Sequence, residues 1–199
     1  MRETILSITM NINTGSSCKY SRDKIECFRD LSIEMPQTSD SSFSLRTVLS
    51  QHFEDEKVEL RCEKCEGTHA VISPRIKKLP PILMIHLKRF HFDMCTQKKE
   101  KNSIHWIDAP ESLDLNSFME PHDQNARYSL QGILRHHGNT AQDGHYTADV
   151  RLSNMDDGKK QWNSFNDASV RAGKFGNTNK QQRQETGYIL VYVQDQGST

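Results

Sequence analysis

The chain has 199 residues, and its 26 Lys plus Arg balance 26 Asp plus Glu for a formal charge of zero. That balance gives no pull toward nucleic acid or an anionic membrane, and no run reaches the ~18 apolar residues of a membrane helix. Five cysteines with a single Cys-x-x-Cys pair suit free thiols or a metal in a reducing compartment. The chain therefore reads as soluble and intracellular, cytoplasmic or nuclear, as one large domain or two small ones with room for a core.

Residues 3–12 alternate apolar and polar positions around Glu3, which describes a first strand better than a signal peptide. A polar turn follows over 13–17. Phe28 to Pro36 alternates again and stops at proline, a half-buried strand. After the polar linker 37–42, Ser44 to Phe53 reads as a helix capped by Ser42 or Ser44, with Leu45, Val48, Leu49 and Phe53 on one face. Residues 57–61 and 69–72 form a hairpin around the knuckle Cys62-Glu63-Lys64-Cys65-Glu66-Gly67.

The most apolar stretch, Ile82 to Phe90, comes directly after Pro80-Pro81 and reads as a strand buried on both faces. Polar residues 97–102 suggest a solvated hairpin tip, and 104–107 a short strand. Strands over 128–136 and 145–152 flank the loop HGNTAQDG, and a third short strand covers 162–167. Turn-forming residues fill 155–160, and 174–185 is a polar surface loop. The fold class is α+β, mostly antiparallel β with one or two helices, without repeats or heptads.

His145 sits where the Gly-containing loop enters a strand, exposed to a reactant yet held by a ladder, which is what a catalytic imidazole needs. Asn166 and Asp167 end the next strand, and either side chain would accept a hydrogen bond from the ring and fix its tautomer. Two cysteines on a knuckle, Cys62 and Cys65, make half of a tetrahedral zinc site.

The stretches YSLQGILRHHGNTAQDGHYTADV, QWNSFNDASV and TGYILVYV resemble the histidine box of the ubiquitin-specific proteases. LPPILMIHLKRF resembles that family's central palm strand, in which His86 belongs to the fold. The resemblance implies a hand-like cysteine protease: residues 1–75 a fingers-like region with the Cys-x-x-Cys hairpin, residues 76–199 a palm with the histidine box. It implies His145 as the general base, Asn166 as third triad residue with Asp167 beside it, and His136, Gly144 and Tyr146 against ubiquitin. Ubiquitin and ubiquitinated proteins are the implied partners, with neither nucleic acid nor membrane among them. Asp143 departs from the family's pattern, standing where a glycine is usual.

The family requires no cofactor but carries a zinc site in the fingers. Cys18-Lys19-Tyr20-Ser21 occupies the place of its second Cys-x-x-Cys, with serine for the second cysteine, so the site reads as degenerate. If zinc binds, Cys18, Cys62 and Cys65 are its ligands, with Cys27 or His69 available to rearrange. Residues 13–21 also echo the family's nucleophile box, but charged residues follow where an apolar helix is needed. Cys18 is thus a fingers cysteine, and the thumb with its cysteine box is absent. The expectation is a partial catalytic domain, inactive alone. The alternative is a non-catalytic ubiquitin-binding module.

Overall fold

The computed structural model describes residues 6–13, 18, 20–36, 42–65, 67–93, 98–101, 106–120, 125–138, 143–153, 160–173 and 187–196. The first half contributes β1 (Leu6–Asn13), β2 (Ser21–Phe28), β3 (Leu31–Glu34), β4 (Ser42–Ser44), α1 (Leu45–His52), β5 (Glu56–Glu59), β6 (His69–Lys78) and β7 (Ile82–Lys88). Then come β8 (Phe90–Asp93), β9 (Lys98–Lys101), β10 (Trp106–Asp108), β11 (Ser112–Asp114) and a 3-10 turn at Asn116–Phe118. The last part holds β12 (Arg127–His137), β13 (His145–Ser153), β14 (Lys160–Asn166), β15 (Ser169–Gly173) and β16 (Gly187–Gln194). The expected α+β, mostly antiparallel architecture is what forms.

Two sheets dominate. A four-stranded sheet runs β2-β1-β6-β5, antiparallel throughout. An eight-stranded sheet runs β15-β14-β13-β12-β16-β7-β3, with β11 also paired to β12. Within it only β3 and β7 are parallel. The chain crosses between the sheets three times, at the Arg29-Asp30 bend, back through β4 and α1 to β5, and again at Leu79-Pro80-Pro81. The strand expected over 28–36 is therefore shorter and lies at the edge of the large sheet. The segment before it, 21–28, supplies a separate strand that alternation alone did not reveal, because most of its residues are exposed.

The β7 stretch is also not buried on both faces. Leu83, Ile85 and Leu87 are buried while Met84 and His86 are half-buried and Ile82 is exposed. The other face of β7 meets rings and hydroxyls instead of a second apolar layer: His86 Nδ1 lies 3.2 Å from Ser32 Oγ and its ring packs edge-on against Tyr188. His86 belongs to the fold, and burial lowers its pKa. The tip expected at 97–102 partly forms β9, paired with β8, while the turn at 155–160 and the loop at 174–185 lie almost wholly outside the described residues.

The core sits between the large sheet and α1. Ser44 caps the helix, its Oγ accepting from Thr47 N–H at 3.0 Å, and Leu45, Val48 and Leu49 face inward. They meet Leu31, Ile33, Ile85, Leu115, Leu130 and their neighbours in one continuous cluster, each side chain contributing about 1.5–3 kcal/mol by leaving water. Two buried tyrosines donate to backbone carbonyls, Tyr128 to Pro80 at 2.5 Å and Tyr192 to Pro110 at 2.9 Å. Burial pushes the pKa of both phenols up. The Tyr128 bond pins the Pro80-Pro81 corner to the strand that carries the candidate site.

Candidate active site

The β12–β13 ladder ends on the pair His137↔His145, so His145 occupies the last rung before the loop. Alternation puts His137, His145, Thr147 and Asp149 toward one face and His136 and Tyr146 toward the other. His145 Nε2 lies 2.6 Å from Asn166 Oδ1 and 3.8 Å from Asp167 Oδ2. Asn166, the last residue of β14, is carried in by the β13–β14 pairing, and Asp167 follows in the left-handed region at φ 48°. Of the two candidate partners, the amide is thus the one in hydrogen-bond contact. Its oxygen accepts from Nε2–H, which leaves Nδ1 as the basic nitrogen. The His145 side chain is 45% exposed, open to a reactant.

Gly144 is required by space. Its φ of +151° is a conformation open essentially to glycine. An added Cβ would meet His137 O at 2.6 Å and His136 Cε1 at 2.8 Å, and would lie closer still to His136 Nε2. The loop base thus closes directly on the His136 ring, and the residue before the imidazole is fixed by contact. Gly144→Ala should destabilise the fold by about 2–4 kcal/mol from strain and overpacking together. A urea midpoint equal to that of the parent chain would contradict this.

His136 is 2% exposed, ringed by Phe90, Tyr146 and Tyr188 at centroid distances of 5.3, 4.8 and 6.2 Å. It offers no surface of its own; the exposed member of this aromatic tract is Tyr146. On the opposite face, Arg135 and Asp149 form a buried ion pair and Ser164 Oγ donates to the same carboxylate. His137 Nε2 is 2.8 Å from Thr147 Oγ1. These groups and Trp162 line an open hollow of about 720 Å³ that contains the His145–Asn166 pair. The Arg135–Asp149–Ser164 group was missed in the sequence, although period-two alternation places Arg135 and Asp149 on the face of His145. Another hollow, about 710 Å³, lies where β1, β2 and β6 meet β3 and α1.

Away from this site, Cys18, Cys62 and Cys65 converge, their sulfurs all within 4.8 Å of one another. Cys18 Sγ is 3.9 Å from Cys62 Sγ, close to the ~3.8 Å edge of a tetrahedron of sulfurs at the usual 2.3 Å from zinc. Knuckle amides donate to two of them, Lys64 N to Cys62 Sγ at 3.3 Å and Gly67 N to Cys65 Sγ at 3.4 Å. The hydrogen bond with Cys65 first, and desolvation after it, raise the Cys18 pKa. The donor set fits zinc, so a site read as degenerate from Ser21 retains three converging sulfurs. Cys27 stands apart, its sulfur 3.5 Å from Ser7 Oγ, and His69 bonds Thr68.

An imidazole whose far nitrogen is held by an amide, at the mouth of a strand pair, has the geometry that a cysteine hydrolase asks of its base. The family model described as ubiquitin carboxyl-terminal hydrolase matches residues 14–192, and the chain belongs to that family. It is 27% identical over 181 residues to ubiquitin carboxyl-terminal hydrolase 23 of Arabidopsis thaliana, covering 89% of this chain and 19% of that protein. With ubiquitin carboxyl-terminal hydrolase 48 of Danio rerio it shares 31% over 132 residues, covering 64% of this chain and 12% of the relative. Among solved structures it is similar to Ubp8 in the SAGA DUB module bound to monoubiquitin, with TM-score 0.79 and 25% identity over 97% of this chain and 41% of that one. The same module bound to ubiquitin aldehyde gives TM-score 0.77 and 26% identity over 97% of this chain and 42% of that one. The chain thus spans about a fifth or less of these curated relatives and about two fifths of the solved chains. No described helix is long and apolar enough to cross a membrane.

Proposed function

We propose that the chain is the palm and fingers of an intracellular ubiquitin-specific cysteine protease, carrying the base but not the nucleophile. The observation that carries this is the 2.6 Å contact between His145 Nε2 and Asn166 Oδ1 at the exposed end of the ladder. The thiol comes from a segment outside these residues, seated against the hollow beside His145. Cys18 does not supply it, because its sulfur is engaged beside Cys62.

In the assembled enzyme, Nδ1 of His145 takes the proton from the thiol. The thiolate attacks the carbonyl carbon of the ubiquitin C-terminal glycine, and the imidazolium returns the proton to the leaving lysine amine. Water, deprotonated by the same nitrogen, then breaks the thioester and frees the cysteine. Asn166 holds the ring throughout, while Asp167, at 3.8 Å, adds negative potential without fixing the tautomer. Tyr146, 51% exposed over buried His136, is the surface for the extended ubiquitin tail, and Gly144 keeps the approach low beside it. Cys18, Cys62 and Cys65 hold a structural zinc that crosslinks the β1–β2 connection to the knuckle and takes no part in the chemistry.

The test is a ubiquitin probe with a C-terminal thiol-reactive warhead, applied to the purified chain and to Cys18→Ala. The expected result is no adduct with either, and measurable binding of plain ubiquitin by both. An adduct lost in Cys18→Ala would make Cys18 the nucleophile. Absence of ubiquitin binding would remove the partner assignment.

A further inference from the structure

Zinc bound by thiolates is almost always four-coordinate, and three sulfurs leave one position to fill. Among the described residues no further His, Cys, Asp or Glu atom lies with Cys18, Cys62 and Cys65. The two chain segments that meet there have the same spacing, Cys62-x-x-Cys65 on the knuckle and Cys18-x-x-Ser21 before β2. By that spacing, the residue standing where a fourth cysteine would be is Ser21, the exposed first residue of β2, opposite Asn13. A neutral hydroxyl is a poor donor to zinc beside three thiolates. Cys27 is six residues further along the same strand, ~20 Å away at 3.3 Å per residue.

We propose that this is a three-thiolate site whose fourth coordination position is held by an exchangeable small ligand, water or a solvent-borne thiol or imidazole, in place of a side chain. This rests on the reading that the three thiols hold zinc. The loaded site carries one net negative charge, two from the ion against three from the sulfurs. One cation lies on the knuckle itself, Lys64, 5.9 Å above the Tyr20 ring, while Arg22 and Glu63 nearby balance each other at 2.8 Å. Ser21 is exposed, and of the three sulfur-bearing residues only Cys62 is buried. The site then exchanges its ion readily and accepts an external ligand without rearranging the fingers.

Cobalt(II) substitution reads both properties, since its sulfur charge-transfer absorption grows with each thiolate and its visible bands report the fourth ligand. The parent chain should show three sulfurs' worth of charge-transfer intensity, and added imidazole or 2-mercaptoethanol should move the visible bands. Ser21→Cys should raise the charge-transfer intensity by one further sulfur, abolish the response to added ligand, and tighten zinc on the order of a hundredfold in chelator competition. Cys27→Ser should leave the parent spectrum unchanged. Parent bands indifferent to added ligand, or an intensity equal to that of Ser21→Cys, would overturn the open position. Loss of intensity in Cys27→Ser would overturn it too. Failure of both the parent and Ser21→Cys to bind cobalt or zinc would instead sink the metal reading itself, leaving the assignment of His145 untouched.

Discussion

His145→Ala, made in a complete enzyme that carries the thiol, should lower turnover by roughly 10⁴- to 10⁶-fold, the scale on which removal of a triad base acts. Ubiquitin affinity should stay within a fewfold of the parent value. The separation follows from position: His145 closes the last rung of the ladder, and its contact with Asn166 is made at the strand's end, outside the packed core. Removing the ring deletes the proton acceptor while the aromatic tract under Tyr146 keeps its packing. Single-turnover kinetics alongside a ubiquitin binding isotherm measures both quantities. Turnover near the parent rate would end the assignment, and a parallel collapse of binding would make the residue structural. Asn166→Ala should cost less than His145→Ala, because it disorders the base without deleting it, and Asn166→Asp should recover most of the loss.

The largest stability effect is expected at Asp149. Its carboxylate is paired with Arg135 and accepts from Ser164, with both charged residues buried beneath the hollow. Asp149→Ala leaves a guanidinium without its counter-charge in a region poor in water, a loss of about 3–5 kcal/mol. That is a large share of the ~5–15 kcal/mol holding an ordinary domain together. Urea unfolding should show it as a lowered midpoint with an unchanged slope. The paired replacement Arg135→Met with Asp149→Leu should regain much of the deficit, because the expense lies in the orphaned charge and not in the missing bond. A shift below ~1 kcal/mol for Asp149→Ala would show that water already reaches the pair.

Much of this was legible from periodicity. The capped helix at Ser44, the knuckle, and the strands around His145 all follow from local rules that each residue obeys by itself. Three features did not follow. Residues 21–28 form an exposed strand with little apolar signal, stabilised by pairing with β1 across the full register, which is a long-range fact. The strand at 82–88 has the composition of a doubly buried strand, yet one face is occupied by His86, Ser32 and Tyr188, partners distant in sequence. At the site, the residue types alone left Asn166 and Asp167 both open as partners for His145, and only the family resemblance singled out Asn166. The ladder brings Asn166, the last residue of β14, to 2.6 Å from the ring, while Asp167, one residue on at positive φ, stays at 3.8 Å.

The ten residues of β6 run from the cysteine knuckle toward the proline corner, ~30 Å at the usual rise per residue. The three sulfurs sit on connections of the four-stranded sheet, whereas the imidazole is carried by β13 of the eight-stranded one. Changes at distant sites that share no partner usually combine additively. The distal end is in that sense an independent dial: its opening and closing can be retuned by one side chain at Ser21, and the acid–base chemistry at the other end would register no difference.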